Sequence, residues 1–372
     1  MRFLYCAYKL AYDGAFFRQT THDTALLMPM GKGFTSTTTN DLSSLIRTAY
    51  SALQTTTTAT SASPSLPLPD LDIVAITNDT VSTLLSAAYL HTDARTAAGI
   101  INGTGTNATC LCPTSKLPSF KRPPSTTSAS AVLLNTEWSI NGTAAPLAPY
   151  QTIWDKLLDE GNEKPGFQPL EQMVGGRYLG ELVRLIALEI FSPPPSSPST
   201  QQQQRQLPKK MTTPYALDTK LCAQIEAADN NDLALSYLRE YFDGDGDDPR
   251  ASAESEKFEW DHAVAECFRC VCVAVSTRAA ALVAAATVGL LCLNDELEDD
   301  GGGGDVLVCY AGTVMEKYPR FRERCEGFVA HVIDSWRAGA RTRKKPVRFV
   351  EAKDGGILGA AVLAAMVKDG RT

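Results

Sequence analysis

Gly99-Ile-Ile-Asn-Gly103-Thr-Gly-Thr-Asn107 is the stretch whose reading decides the fold. Residues 99–101 are aliphatic and read as a strand. They lead into a turn, from Gly103 to Asn107, with two glycines and two hydroxyls in five residues. A strand that ends in such a turn lets backbone N–H groups approach a phosphate. A plain tight turn has the same composition, so the surrounding segments must decide between the two.

Working outward, residues 71–76 form a short aliphatic run that predicts another strand. The spacing of Val81, Leu84, Leu85 and Ala88 then predicts a helix. Between them, Asn78-Asp79-Thr80 places polar groups where a helix starts, so they can cap it and also serve a site. Downstream, residues 132–135 predict a third strand. Helical patterns follow over 170–191, 218–227, 261–293 and 318–337. Strands return at 306–310 and 347–350, before a closing helix over 359–368. The order is that of an α/β protein with added helices.

Bulk properties narrow the function. The 372 residues, 44% hydrophobic and 21% charged, are enough for two lobes with a sizeable core. A formal charge of -7 provides no basic face, so no nucleic-acid partner is expected. The apolar run 279–293 is shorter than the roughly 20 residues of a membrane span and reads as a buried helix. Residues 1–17 lack the apolar core of a secretory signal. A cytoplasmic location is expected, with the nucleus open to a regulator.

Ten cysteines and four scattered histidines, including the pair Cys110 and Cys112 and the cluster Cys267, Cys270 and Cys272, do not make paired zinc knuckles. No metal held by the protein is expected, and the cysteines read as small core residues. Low-complexity stretches at 55–69, 123–130 and 192–206, and acidic glycine-rich ones at 243–248 and 296–305, read as surface loops. Residues 243–248 lack the spaced ligands and closing Glu of a calcium loop. The four Asn-x-Thr triplets at Asn78, Asn102, Asn107 and Asn141 matter for glycosylation only in a secreted chain.

Five segments recur in a fixed order. They are Asn78-Asp79-Thr80-Val81, Gly103-Thr-Gly-Thr-Asn107, Asn135-Thr-Glu137-Trp138, Pro169-Leu-Glu171-Gln-Met-Val-Gly-Gly176 and Arg177-Tyr-Leu-Gly-Glu-Leu-Val-Arg-Leu185. In this order the set resembles the motifs of the hexokinase family. Val275-Ser-Thr-Arg-Ala-Ala280, Gly312-Thr-Val314 with Lys317-Tyr-Pro319, and residues 355–361 are similar to the family's later landmarks. The resemblance runs from about Gly31 to the C-terminus and looks closest to the atypical hexokinase-like proteins of filamentous fungi.

The resemblance implies an α/β, actin-like (ribonuclease-H-like) fold with the large lobe complete over 71–355. Residues 1–70 would be a truncated small lobe, and 356–372 a last helix returning toward it. It also implies ATP-dependent phosphorylation of glucose or a similar hexose at the 6-hydroxyl, with Mg²⁺ bound through ATP. Asp79 takes the role of general base. Lys32, Asn78, Asn107, Glu137 and Glu171 become the sugar contacts, and Gly103, Thr104, Gly105, Gly312 and Thr313 the nucleotide contacts. Amides and carboxylates of this kind suit a polyol, because each pairs with a hydroxyl and is left unpaired when that hydroxyl is absent. Plainer roles exist: Glu171 as a first-turn helix acid, Glu137 as a surface strand residue, and Lys32 as a solvated loop lysine.

Some positions depart from the family pattern. The family's Asp-Leu-Gly-Gly-Thr-Asn-x-Arg phosphate turn has no counterpart ahead of Lys32, and Tyr12-Asp13-Gly14-Ala15 lies too close to Lys32 to be one. Residues 25–30 replace the Ser-Phe-Pro sugar motif, Ala311 stands where the family has an aspartate, and Ser139-Ile-Asn-Gly142 replaces an aromatic turn. Weak or lost turnover is therefore expected. The alternative is a hexose-binding sensor of carbon or nutrient signalling that works through a protein partner.

Overall fold

The computed structural model describes residues 41–60, 68–119, 130–140, 144–192, 207–242, 258–298, 304–339 and 345–368, with the short strand segments 4–5, 7–8 and 18–19. In chain order these give β1 (Leu4–Tyr5), β2 (Ala7–Tyr8), β3 (Arg18–Gln19), α1 (Leu42–Thr60) and α2 (Asp79–Leu90). A sheet follows in β4 (Arg95–Asn102), β5 (Thr106–Pro113) and β6 (Ala131–Asn135). The helical block is α3 (Ala144–Leu147), α4 (Ile153–Glu160), α5 (Pro169–Val174), α6 (Gly176–Phe191), α7 (Lys209–Thr212), α8 (Thr219–Ala227), α9 (Asn231–Phe242) and α10 (His262–Leu293). The chain then forms β7 (Val306–Ala311), α11 (Thr313–Lys317), α12 (Phe321–Gly339), β8 (Val347–Glu351) and α13 (Gly355–Lys368).

Six strands make one sheet in the order β1-β6-β5-β4-β7-β8. β5 is antiparallel to both β4 and β6, while β4–β7, β7–β8 and β1–β6 are parallel pairs. A central strand flanked by a hairpin on one side and a parallel crossover on the other is the ribonuclease-H-like arrangement. The carboxyl ends of β4, β6 and β7 therefore point the same way, where open α/β sheets receive ligands.

Helices cover both faces. On one, α2 and α13 bury Val81, Leu84, Leu85 and Leu363, each contributing roughly 1.5–3 kcal/mol if fully removed from water. The pair lies so close that a Cβ on Gly359 would sit 1.9 Å from the Ser82 carbonyl oxygen. On the other face α10 is the axis, in contact with α5, α6, α8, α9 and α12, and Phe268, Val283 and Leu291 fill the core. α10 starts where Asp261 caps it by accepting the Val264 N–H. Its 32 residues are long and apolar enough to cross a membrane by length and composition alone, more than the run 279–293 suggests. Half of its most apolar window is buried within the fold.

The structure corrects several expectations. Residues 71–76 form no strand among the described residues; an aliphatic run becomes a strand only with a ladder to join. The expected helix over 170–191 is two helices, broken where Gly175 adopts an extended conformation with φ -77° and ψ 141°. Residues 55–60 are not a loop but the end of α1, where the Thr55 and Thr56 hydroxyls bond back to the Ala52 carbonyl. Glu296 is not solvated: it is buried and held by Arg95 in a two-pronged ion pair. Cys270 is exposed on α10, whereas Cys272 is buried. Most of the stretches 123–130, 192–206, 243–248 and 296–305 lies outside the described residues.

Candidate active site

The N-terminus of α2 is built by its own sequence. Asn78, in extended backbone, caps the helix by accepting the Thr80 N–H at 2.9 Å, and Asp79 Oδ1 accepts the same N–H at 2.9 Å. The Thr80 hydroxyl lies 2.5 Å from Asn78 Oδ1 and 2.6 Å from the Thr109 hydroxyl of β5. The cap is thereby tied to the sheet, and Asp79 remains exposed at the first helical position. The capping that the sequence allowed is present here.

β5 and β6 bring the next groups together. Asn107 Oδ1 accepts the Ala108 N–H at 2.7 Å, and its Nδ2 donates to Asn135 Oδ1 at 2.8 Å. Asn135 Nδ2 in turn donates to Glu137 Oε1 at 3.1 Å. Glu137 is held at φ 46°, a left-handed conformation that costs a non-glycine residue of the order of 1–2 kcal/mol. Backbone strain of this kind gathers at functional sites. The turn is pinned by Thr136, whose N–H and hydroxyl both donate to the Ala108 carbonyl, and by Trp138 Nε1, which donates to the Thr106 hydroxyl.

Glu171, in the first turn of α5, is 2% exposed and accepts the Thr106 N–H at 3.1 Å. It is a first-turn acid tied to the start of β5. The glycine turn is tied to the next helix: Gly176 N–H donates to the Gly103 carbonyl and Arg177 N–H to that of Thr104. The break at Gly175 makes these two bonds possible. Gly103 N–H donates to the Gly105 carbonyl. A Cβ on Gly103 would lie 3.4 Å from Gly312 Cα and from the Thr313 nitrogen, so the turn after β4 and the turn after β7 abut.

Ten of the eleven expected site residues thus belong to one end of the sheet. Asn107 and Glu137 are linked through Asn135, Glu171 is bonded to the strand that carries Asn107, and Asn78 and Asp79 are tethered to that strand through Thr80. Gly103, Thr104 and Gly105 adjoin Gly312 and Thr313. Lys32 lies outside the described residues. Among the described residues no three His, Cys, Asp or Glu are grouped to hold a metal ion. Sequence reasoning missed Asn135, Thr106 and Thr109 as members of the network. The signal for Asn135 was present, since it ends a strand two residues before Glu137.

Two hexokinase family models match the chain, one over residues 97–366 and one over 15–89. The likeness therefore starts earlier than Gly31. The hexokinase-like 1 protein of Arabidopsis thaliana is 30% identical over 302 residues, covering 80% of this chain and 54% of that protein. Hexokinase-1 of Saccharomyces cerevisiae is 30% identical over 306 residues, covering 80% and 55%. A hexokinase from Schistosoma mansoni, solved in complex with glucose, shares 25% identity at a TM-score of 0.68, covering 92% of this chain and 66% of that one. The chain spans about half the length of the curated relatives it matches. With the first family match taking in β4 through α13, and with it both turns and the carboxylates between them, the chain belongs to the hexokinase family.

Proposed function

We propose that this chain binds glucose or a similar hexose and transfers the γ-phosphate of ATP to its 6-hydroxyl, with Asp79 as general base. One observation carries the proposal: the exposed Asp79 carboxylate starts a helix tethered to the strand that presents Asn107, beside glycine turns that a phosphate can approach. Asn78, Asn107, Glu137 and Glu171 offer amide and carboxylate partners for sugar hydroxyls, and Lys32 is a further candidate. Asp79 accepts the proton of the 6-hydroxyl as that oxygen attacks the γ-phosphorus and ADP departs. Gly103–Gly105 and Gly312–Thr313 are the candidates for the nucleotide phosphates, at the place where the two turns abut. Mg²⁺, carried in on ATP, neutralises phosphate charge. Most of the rate in such transfers comes from positioning and electrostatics.

A second reading, a hexose sensor without turnover, is favoured by Ala311, which ends β7 without a carboxylate of its own, and by Glu316, whose carboxylate already accepts the Gly312 N–H at 2.7 Å. The test is calorimetry of glucose and of Mg-ATP binding, with assay of glucose 6-phosphate formation by the wild type and by Asp79→Asn. Binding of both ligands with turnover lost by about 10²–10⁴-fold in the variant is the kinase result. Glucose binding without product in the wild type is the sensor result. A chain that binds neither ligand refutes both.

A further inference from the structure

We propose that Asn135 is the positioning residue of the hexose site: a one-way relay that orients the Asn107 carboxamide and the Glu137 carboxylate together. The inference rests on the hexose reading above.

A carboxamide can turn over by 180°, exchanging its donor and acceptor ends, so an Asn in a sugar site needs something to choose its direction. Here a backbone group makes the choice. The Ala108 N–H, 2.7 Å from Asn107 Oδ1, can only donate. Asn107 therefore turns its Nδ2 toward Asn135, and the atom that meets it at 2.8 Å must be the Asn135 oxygen. That leaves Asn135 Nδ2 facing Glu137 Oε1 at 3.1 Å, where it donates to the carboxylate. No member can flip without setting two donors or two acceptors against each other.

Asn135 suits the task because it is itself fixed. It is 6% exposed, at the end of β6 and in register with Thr109, whose hydroxyl bonds that of Thr80 under the Asn78 cap. The two residues it serves sit on different segments, Asn107 on β5 and Glu137 in the turn after β6, and Glu137 is held in left-handed backbone. One buried amide thus coordinates a donor from one strand with an acceptor from the turn after another. Asn135 acts through its neighbours, so it is a positioning residue and not a catalytic one.

The test uses the full chain with Asn135→Leu, which cuts both bonds, and Asn135→Asp, which keeps the acceptor facing Asn107 but sets a second carboxylate against Glu137. Side-chain amide proton exchange of Asn107 is followed by NMR in ligand-free protein, and glucose and Mg-ATP affinities by calorimetry. In Asn135→Leu the Asn107 amide protons should exchange faster and glucose affinity should fall by about tenfold or more, with Mg-ATP affinity within about twofold. In Asn135→Asp the Asn107 protons should stay protected while glucose affinity falls at least as far. Unchanged amide exchange in Asn135→Leu overturns the relay, and so does faster exchange with undiminished glucose affinity. If the wild type binds no glucose, the hexose reading fails, and the exchange measurement still decides whether Asn135 orients Asn107. Should the leucine variant not fold, Asn135→Asp, polar and of matching size, decides through affinity: undiminished glucose binding in it overturns the relay.

Discussion

Gly312 presses on the backbone of Asn102: a Cβ at position 312 would lie 2.6 Å from both the carbonyl carbon and the carbonyl oxygen of Asn102. Gly312 also has φ 105°, which L side chains rarely adopt. Gly312→Ala should therefore push the β7 turn off the β4 turn. The expected outcome is a lower melting temperature, from strain of about 1–3 kcal/mol, with Mg-ATP binding lost before glucose binding. Thermal denaturation and calorimetry check this; unaltered nucleotide affinity would show that the contact between the turns does not serve the nucleotide.

Glu137 should trade stability for binding. Replacing it by glycine removes the left-handed strain, worth about 1 kcal/mol, and also removes a carboxylate that receives Asn135. Glu137→Gly is expected to unfold at the same temperature as the wild type or higher while losing glucose affinity. A strongly destabilised variant would mean that the carboxylate holds the turn together.

Asn102 carries an avoidable cost. Its side chain is fully buried, and neither its oxygen nor its nitrogen has a hydrogen-bond partner among the described residues. Asn102→Leu, similar in volume, should stabilise the protein by about 1–3 kcal/mol by removing an unsatisfied buried amide. Denaturant unfolding measures this directly, and a loss of stability would point to a buried water that satisfies the amide.

The thiols divide by environment. Burial pushes Cys110 and Cys325 up to about 12 and raises Cys309, while a hydrogen bond with Cys222, together with burial, raises Cys272, so these remain protonated and unreactive at neutral pH. Cys270 and Cys292 are exposed. Alkylation of the native protein at pH 7.5, mapped by mass spectrometry, should modify Cys270 and Cys292 and spare Cys110, Cys272, Cys309 and Cys325 until denaturant is added.

Much of this was legible because period and punctuation agreed. Asp261 before a long apolar run marked the start of α10, and the aliphatic cores of β4, β6, β7 and β8 marked strands. β5 was hidden because Thr106 and Asn107 look like the tail of a turn; they become strand only because β4 and β6 offer ladders on both sides. Thr55 and Thr56 have poor helix propensity, and their hydroxyls find main-chain carbonyls within α1 instead of breaking it. In the site, Asn107, Glu137 and Glu171 could be named from motif order. Asn135 could not be assigned a role, since a role that consists of touching two other side chains exists only once β5 and β6 are aligned. The split at Gly175 is of the same kind, for its reason lies in the carbonyls of Gly103 and Thr104.

The near-contact of Gly359 with the Ser82 carbonyl works like a tooth in a notch. Of the residues next to it on α13, Leu358 and Ala360, neither could enter that space, so the helix pair engages in a single register. Ser82 lies just under one helical turn beyond Asp79. The height at which Asp79 stands above the sheet is thus gauged by α13, and a side chain added at position 359 would be felt as a misplaced carboxylate on the other helix.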